Sequence, residues 1–137
     1  MRYMMLIYTK EGDREAMSSE EQETIRNGHF TVISESRKRG ALVAVNPLAR
    51  TCSATTVRVD NGKILATDGP FAETKEQLAG YYILECKDLD EAIAWAAKIP
   101  SGCGGLQGCI EVRPIQEIPG VPESVLQSNV ELAKAVS

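Results

Sequence analysis

No stretch of these 137 residues is long and apolar enough to cross a bilayer. The N-terminal hydrophobic run, Tyr3 to Tyr8, falls far short of the ~20 residues a spanning helix needs and is too short for a secretory signal core. A cytoplasmic protein without membrane contact is therefore expected. Excess basic charge is missing too. Fifteen Lys and Arg against nineteen Asp and Glu leave a net charge of −4, with no basic stripe to neutralise a phosphate backbone, so nucleic acid is not an expected partner. The four cysteines, Cys52, Cys86, Cys103 and Cys109, contain no Cys-x-x-Cys pair. In a reducing compartment they are expected as thiols, and no neighbouring ligands complete a zinc site around Cys103 and Cys109. P-loop, dinucleotide-binding glycine, zinc-protease and nucleophile-elbow patterns are absent as well, so neither a metal nor a cofactor is expected. The chain has a single histidine, His29, and neither an internal repeat nor a low-complexity segment.

What remains is an ordinary globular composition, 43% apolar and 25% charged, on a chain of about one domain's length. Arg2 to Tyr8 is a nearly unbroken apolar run, the pattern of a central strand. Ser18 with Glu21 three residues on makes a capping box, and a helix with the stripe Ile25, His29, Val32, Ile33 and Ser36 ends at Arg37, Lys38 and Arg39 before Gly40. That basic triplet complements the helix C-terminus, so it needs no phosphate ligand. Ala41 to Val45 reads as a strand ending at Asn46-Pro47. Thr55 to Val59 and Lys63 to Asp68 flank Asn61-Gly62, which suits a type I′ hairpin turn with Asp60 facing Lys63. Pro70 stops the outgoing strand and disposes Gly69 to an extended conformation.

Thr74 to Leu78 reads as one helical turn capped by Thr74 and Gln77, and Tyr81 to Cys86 as a strand. A second helix is capped by Asp88 and Glu91, shows Leu89, Ile93, Ala96 and Ala97 on one face, and stops at Pro100. A glycine-rich loop from Ser101 to Gly108 leads to a closing strand, Cys109 to Ile115, with Ile110 and Val112 on one face, Glu111 and Arg113 on the other, and Pro114 marking an edge. Beyond residue 118 the pattern Val125, Leu126, Val130, Ala133 and Val136 suggests a terminal helix on an extension, residues 119–137.

This order favours an α+β architecture, a ferredoxin-like βαββαβ core with an inserted β-hairpin. Two helices cover one sheet face, yet several strands are apolar on both faces, so a homodimer packed sheet to sheet is expected.

The run from Thr67 to Tyr82, Thr67-Asp68-Gly69-Pro70-Phe71-Ala72-Glu73-Thr74-Lys75-Glu76-Gln77-Leu78-Ala79-Gly80-Tyr81-Tyr82, resembles the hallmark of the DGPF group of YCII-related proteins. Tyr3-Met4-Met5-Leu6-Ile7-Tyr8, Asp88-Leu89-Asp90-Glu91-Ala92 and Glu111-Val112-Arg113-Pro114-Ile115 agree with the same group, so the resemblance spans about residues 1–118. It implies a ferredoxin-like subunit in a dimeric α/β barrel, with a cleft beside the sheet as the site. It further implies a histidine and aspartate pair for small-molecule elimination, His29 and Asp68 here, and a link to extracytoplasmic-function sigma factor pathways.

Each candidate residue has a plainer reading beside the functional one. His29 is the side chain best suited to moving a proton near neutral pH, but a lone histidine on a packed stripe is often a hydrogen-bonded core residue. Asp68 could orient an imidazole or merely fix the turn through backbone amides. Phe71 and Lys75 would shape and touch a ligand, although charges on a short exposed segment are usually solvated. Arg113 could hold an anionic substrate through two bonds or simply pair with Glu111. Two readings of function stay open beside a third, less specific one, a purely structural dimer whose buried pocket is a packing remnant. One is a cofactor-independent lyase or isomerase acting on a small molecule through His29 and Asp68, with Arg113, Phe71 and Lys75 binding the substrate. The other is a non-catalytic ligand-binding or regulatory module.

Overall fold

The computed structural model describes residues 1–101 and 108–122. The glycine-rich loop with Cys103 and the expected terminal helix lie outside the described residues.

Four strands make the main sheet: β1 (Arg2–Thr9), β2 (Leu42–Pro47), β5 (Gln77–Glu85) and β6 (Gly108–Pro114), in the order β2-β5-β1-β6. All neighbours are antiparallel. Helices α2 (Ser19–Lys38) and α3 (Leu89–Lys98) are the crossovers, so this is an α+β fold compatible with the ferredoxin-like βαββαβ arrangement. β1 is central and its burial alternates: Tyr3, Met5 and Ile7 join Tyr82 and Leu84 of β5, Val32 of α2 and Trp95 of α3 in one core. β6 pairs only with β1, which makes it the edge strand that Pro114 signals. No helix among the described residues is long and apolar enough to cross a membrane.

Helix α2 forms where local signals demand it. Ser18 Oγ accepts a hydrogen bond from the Glu21 amide at 3.1 Å, acidic residues fill the first turn and basic ones the last. Gly40 then takes a positive φ of 69°. The buried Ser36 hydroxyl is satisfied by donating to the Ile33 carbonyl at 3.2 Å.

Helix α3 packs through a different face from the one its leucine and isoleucine suggest. Ala92, Trp95 and Ile99 are buried, whereas Leu89 and Ile93 are about half exposed. The indole carries the largest apolar surface in the helix, and small Ala92 lets the backbone approach the sheet, so burying Trp95 decides the rotation. The Arg39 guanidinium and the Lys98 ammonium lie 5.3 and 5.1 Å from its ring centroid.

Two loop expectations are also corrected. The segment starting at Thr74 makes no helical turn, because Gln77 already opens β5 by pairing with Thr9, and a long ladder outweighs one local cap. Thr74 and Gln77 do meet, but as a bend in which Gln77 Nε2 donates to the Thr74 carbonyl at 2.6 Å. Gly69 is not extended; its φ is +95°, and the turn is tied by its amide to Ala54 O at 2.7 Å and by Thr56 Oγ1 to its carbonyl at 2.8 Å.

β3 (Thr55–Asp60) and β4 (Lys63–Asp68) form a separate two-stranded ribbon, joined through Asn61 and Gly62 with φ of 48° and 77° as a type I′ turn requires. Asp60 pairs with Lys63. The register sets Val57 beside Ala66 and Val59 beside Ile64 on one ribbon face, and Val57, Val59 and Ile64 are 60%, 71% and 75% exposed.

Gly80 in β5 explains how closely β2 approaches. A Cβ there would lie 2.8 Å from the Asn46 carbonyl oxygen and 3.1 Å from Pro47 Cα, both backbone atoms that cannot swing aside. Gly80→Ala is therefore expected to destabilise the protein by about 1–3 kcal/mol, the usual cost of overpacking, visible as a lower denaturant midpoint.

Candidate functional site

Where β1 ends, the chain turns through the single helical turn α1 (Glu11–Glu15) before α2 begins. This turn gives no sequence signal, being too short for a periodic pattern. Glu11 anchors it: its carboxylate accepts from the Thr51 amide and the Thr51 hydroxyl, both at 2.8 Å, and its amide donates to Gln77 Oε1 at 3.0 Å. Between α1, α2 and the ends of β1, β2 and β5 lies a cleft of about 300 Å³. Ile7, Val45 and Tyr82 contribute from the sheet, Ile25, His29 and Ile33 from α2, and Lys10, Asp13, Arg14 and Arg26 from the rim. One glycine brings the far wall in: a Cβ on Gly28 would lie 2.7 Å from Pro100 Cγ, so α2 touches the segment after α3 just beside His29.

His29 Nδ1 and the Tyr82 hydroxyl are 2.8 Å apart, with the rings 14° from parallel and centroids separated by 5.9 Å. Tyr82 is fully buried, and burial pushes its hydroxyl up to about 12, so it stays a protonated phenol at neutral pH. Its proton needs an acceptor, and among the described residues Nδ1 is the partner it has. The tautomer assigned by that bond carries the imidazole proton on Nε2. Burial holds His29 below its ordinary value, and the positive charge of Arg14 lowers it further. A neutral imidazole offering an Nε2–H donor is thus the resting form at neutral pH.

Because the folded imidazole titrates below its unfolded value of 6.5, the unfolded chain binds more protons as pH falls through 6.5, and His29 costs stability on the acid side. Removing the Arg14 charge should lift His29 part of the way back, since burial, the larger cause, remains. In an Arg14→Gln protein the imidazole titration followed by NMR is expected to move to higher pH while staying below 6.5; an unmoved midpoint would show that the two charges do not interact.

The other sequence candidates lie elsewhere on the chain. Asp68 ends β4, is exposed, and its carboxylate makes no hydrogen bond among the described residues; backbone contacts at Gly69 hold the turn instead. Phe71 is 79% exposed, and Lys75 is exposed in the same loop. Arg113 stands opposite Met4 on the sheet face turned away from the helices, 2.7 Å from Glu111. Within one chain, then, His29 lies in the cleft, while Asp68, Phe71, Lys75 and Arg113 do not line it.

Three cleft residues escaped the sequence reading. Tyr82 could have been found from strand alternation, since it shares the inward phase of Leu84 on β5. Arg26, three residues before His29, shares that side of α2. Arg14 had no signal, because α1 had none. Among the described residues no cluster of three or more His, Cys, Asp or Glu side chains is arranged to hold a metal ion.

Comparison with known proteins matches residues 1–119 to the family model of the YCII-related domain. An uncharacterised protein of Rhizobium meliloti (strain 1021) is 39% identical over 115 residues, covering 84% of this chain and 92% of that protein.

Proposed function

The chain belongs to the YCII-related family, and from that premise we propose that its cleft carries out cofactor-independent acid–base chemistry, an isomerisation or elimination, on a small molecule. His29 acts on the acid side of that chemistry, as the donor that polarises the substrate. The observation that carries this reading is the 2.8 Å contact between Nδ1 and the buried Tyr82 hydroxyl, which commits the opposite nitrogen to the cleft as a donor. A neutral Nε2–H can hydrogen-bond to a substrate carbonyl and stabilise the enolate formed when the neighbouring C–H gives its proton to water or to the Asp13 carboxylate of the lining, which then returns a proton to another carbon or to a leaving group. Tyr82 acts as a positioning residue that fixes the tautomer.

The homodimer belongs to the same proposal. Met4, Leu6 and Ile83 face away from the helices, and the apolar ribbon face has no cover among the described residues. A second copy closing over both would make the dimeric α/β barrel that the Thr67–Tyr82 run and its DGPF motif suggest, in a cytoplasmic protein. In that assembly Asp68, at the end of the ribbon, and Phe71 and Lys75, on the loop after it, meet the partner subunit, and Arg113 with Glu111 lies in the shared interior. The unpartnered Asp68 carboxylate supports this assignment: it is free to orient a group on the other chain.

The test uses solvent as the label. Incubated in D₂O with a panel of small carbonyl and carboxylic compounds, the dimer should place deuterium in a recovered substrate or product. A ligand that binds and returns unlabelled and unchanged would replace catalysis with the non-catalytic binding module.

A further inference from the structure

We propose that the cleft selects small apolar acids, a single carboxylate held at the Arg14 and Arg26 rim with an aromatic or branched hydrocarbon body against Ile7, Ile25 and Val45. The inference rests on reading the cleft as the ligand site, but not on its chemistry.

Charge is the first support. The whole chain carries −4, yet the cleft lining holds three cations, Lys10, Arg14 and Arg26, against the one carboxylate of Asp13, a local sum of +2. These cations are also unengaged. Arg2, Arg50, Lys98 and Arg113 each meet a carboxylate, whereas Lys10, Arg14 and Arg26 form no ion pair among the described residues. A guanidinium left free at the mouth of a low-dielectric cleft attracts an anion more strongly than one already neutralised.

Hydrogen-bonding capacity points the same way. Two amide donors around the mouth are already occupied, Asn46 Nδ2 donating to the Tyr81 hydroxyl at 3.0 Å and Gln22 Nε2 to the Met17 carbonyl at 3.3 Å, while the buried Thr9 hydroxyl has no partner among the described residues. With that hydroxyl, two guanidiniums, an ammonium and the His29 Nε2–H, the free donors outnumber the one free carboxylate, Asp13. A ligand rich in acceptors satisfies them. Below the rim the lining turns hydrocarbon, and about 300 Å³ is the small end of ligand cavities, room for one ring and its acid group but not for a nucleotide. Arg14 and His29 line the same cleft, so an acid held at Arg14 shares it with the Nε2–H donor.

Binding of benzoate, cyclohexanecarboxylate, benzamide and inorganic phosphate to the full-length protein tests this, followed through the His29 imidazole resonances. Both acids should bind, more weakly as salt is raised, while benzamide and phosphate should not, and Arg14→Gln with Arg26→Gln should weaken the acids by at least about tenfold. Both arginines are exposed, so circular dichroism of the double variant should match the parent. Benzamide binding as well as benzoate, phosphate binding as well as either acid, an unaffected double variant, or no acid binding would each overturn the inference. Acid binding without deuterium incorporation removes the proposed chemistry and leaves this inference standing; deuterium incorporation into uncharged compounds alone does the reverse.

Discussion

Turnover by a His29→Gln protein is expected to fall by about 10²–10⁴-fold, the contribution a positioned acid or base makes to a proton transfer. Glutamine is chosen because its amide oxygen can still accept the Tyr82 hydroxyl proton, so the buried phenol keeps a partner and the fold is not asked to absorb an unsatisfied group. The lost function is then the titratable nitrogen alone. In the proposed reaction the neutral imidazole would be the working form, and it predominates above a midpoint lying below 6.5. The rate should therefore be flat at neutral pH and decline on acidification, with the limb set by His29 and absent from any residual activity of the variant. Deuterium incorporation measured across pH on both proteins checks the amplitude and the limb together. Equal rates for the two proteins would remove His29 from the reaction, and a rate that rises on acidification would make the imidazolium the working form.

The parts legible in the sequence are those decided within a few residues. Asn61-Gly62 dictates its own turn because both positions need positive φ, and Ser18 with Glu21 starts α2 by satisfying orphan amides. The misread parts were decided by distant partners. Gln77 looked like a helical residue until Thr9 paired with it across the sheet. Leu89 and Ile93 looked like the core face of α3 until the bulk of Trp95 claimed that place, since a helical period alone admits either stripe. The site divides the same way. His29 stands out as the single histidine on a packed stripe, but its partner lies 53 positions away in sequence, and no local pattern names it. The pairing of His29 with Asp68 was a statement about distance, which residue types do not carry; the fold of one chain joins His29 to Tyr82 and leaves Asp68 at the end of an outlying ribbon.

That ribbon supplies the second large effect: Val59→Glu with Ile64→Glu should convert a dimer into a monomer. A two-stranded ribbon is marginal by itself, and this one is exposed along nearly its whole length; in the proposed homodimer its apolar face would be one half of a contact that a second copy completes. Burying a Val or Ile side chain stabilises by about 1.5–3 kcal/mol. In a two-fold interface each position counts twice. The four side chains together are worth roughly 6–12 kcal/mol as an upper bound, and replacing them with carboxylates adds repulsion. Even half of the lower figure, about 3 kcal/mol, weakens dimerisation by more than about a hundredfold. Arg58→Glu with Lys63→Glu supplies the control, because Arg58 pairs with Leu65 and Lys63 with Asp60 in the register, both on the ribbon's polar face. Sedimentation should find the parent and the control as dimers and the apolar-face variant as a monomer with an unchanged circular dichroism spectrum, since the ribbon lies outside the core that holds the four-stranded sheet. A monomeric parent, or a variant that still dimerises, would mean that the ribbon is not the contact, and Asp68 would then have no second chain to act upon.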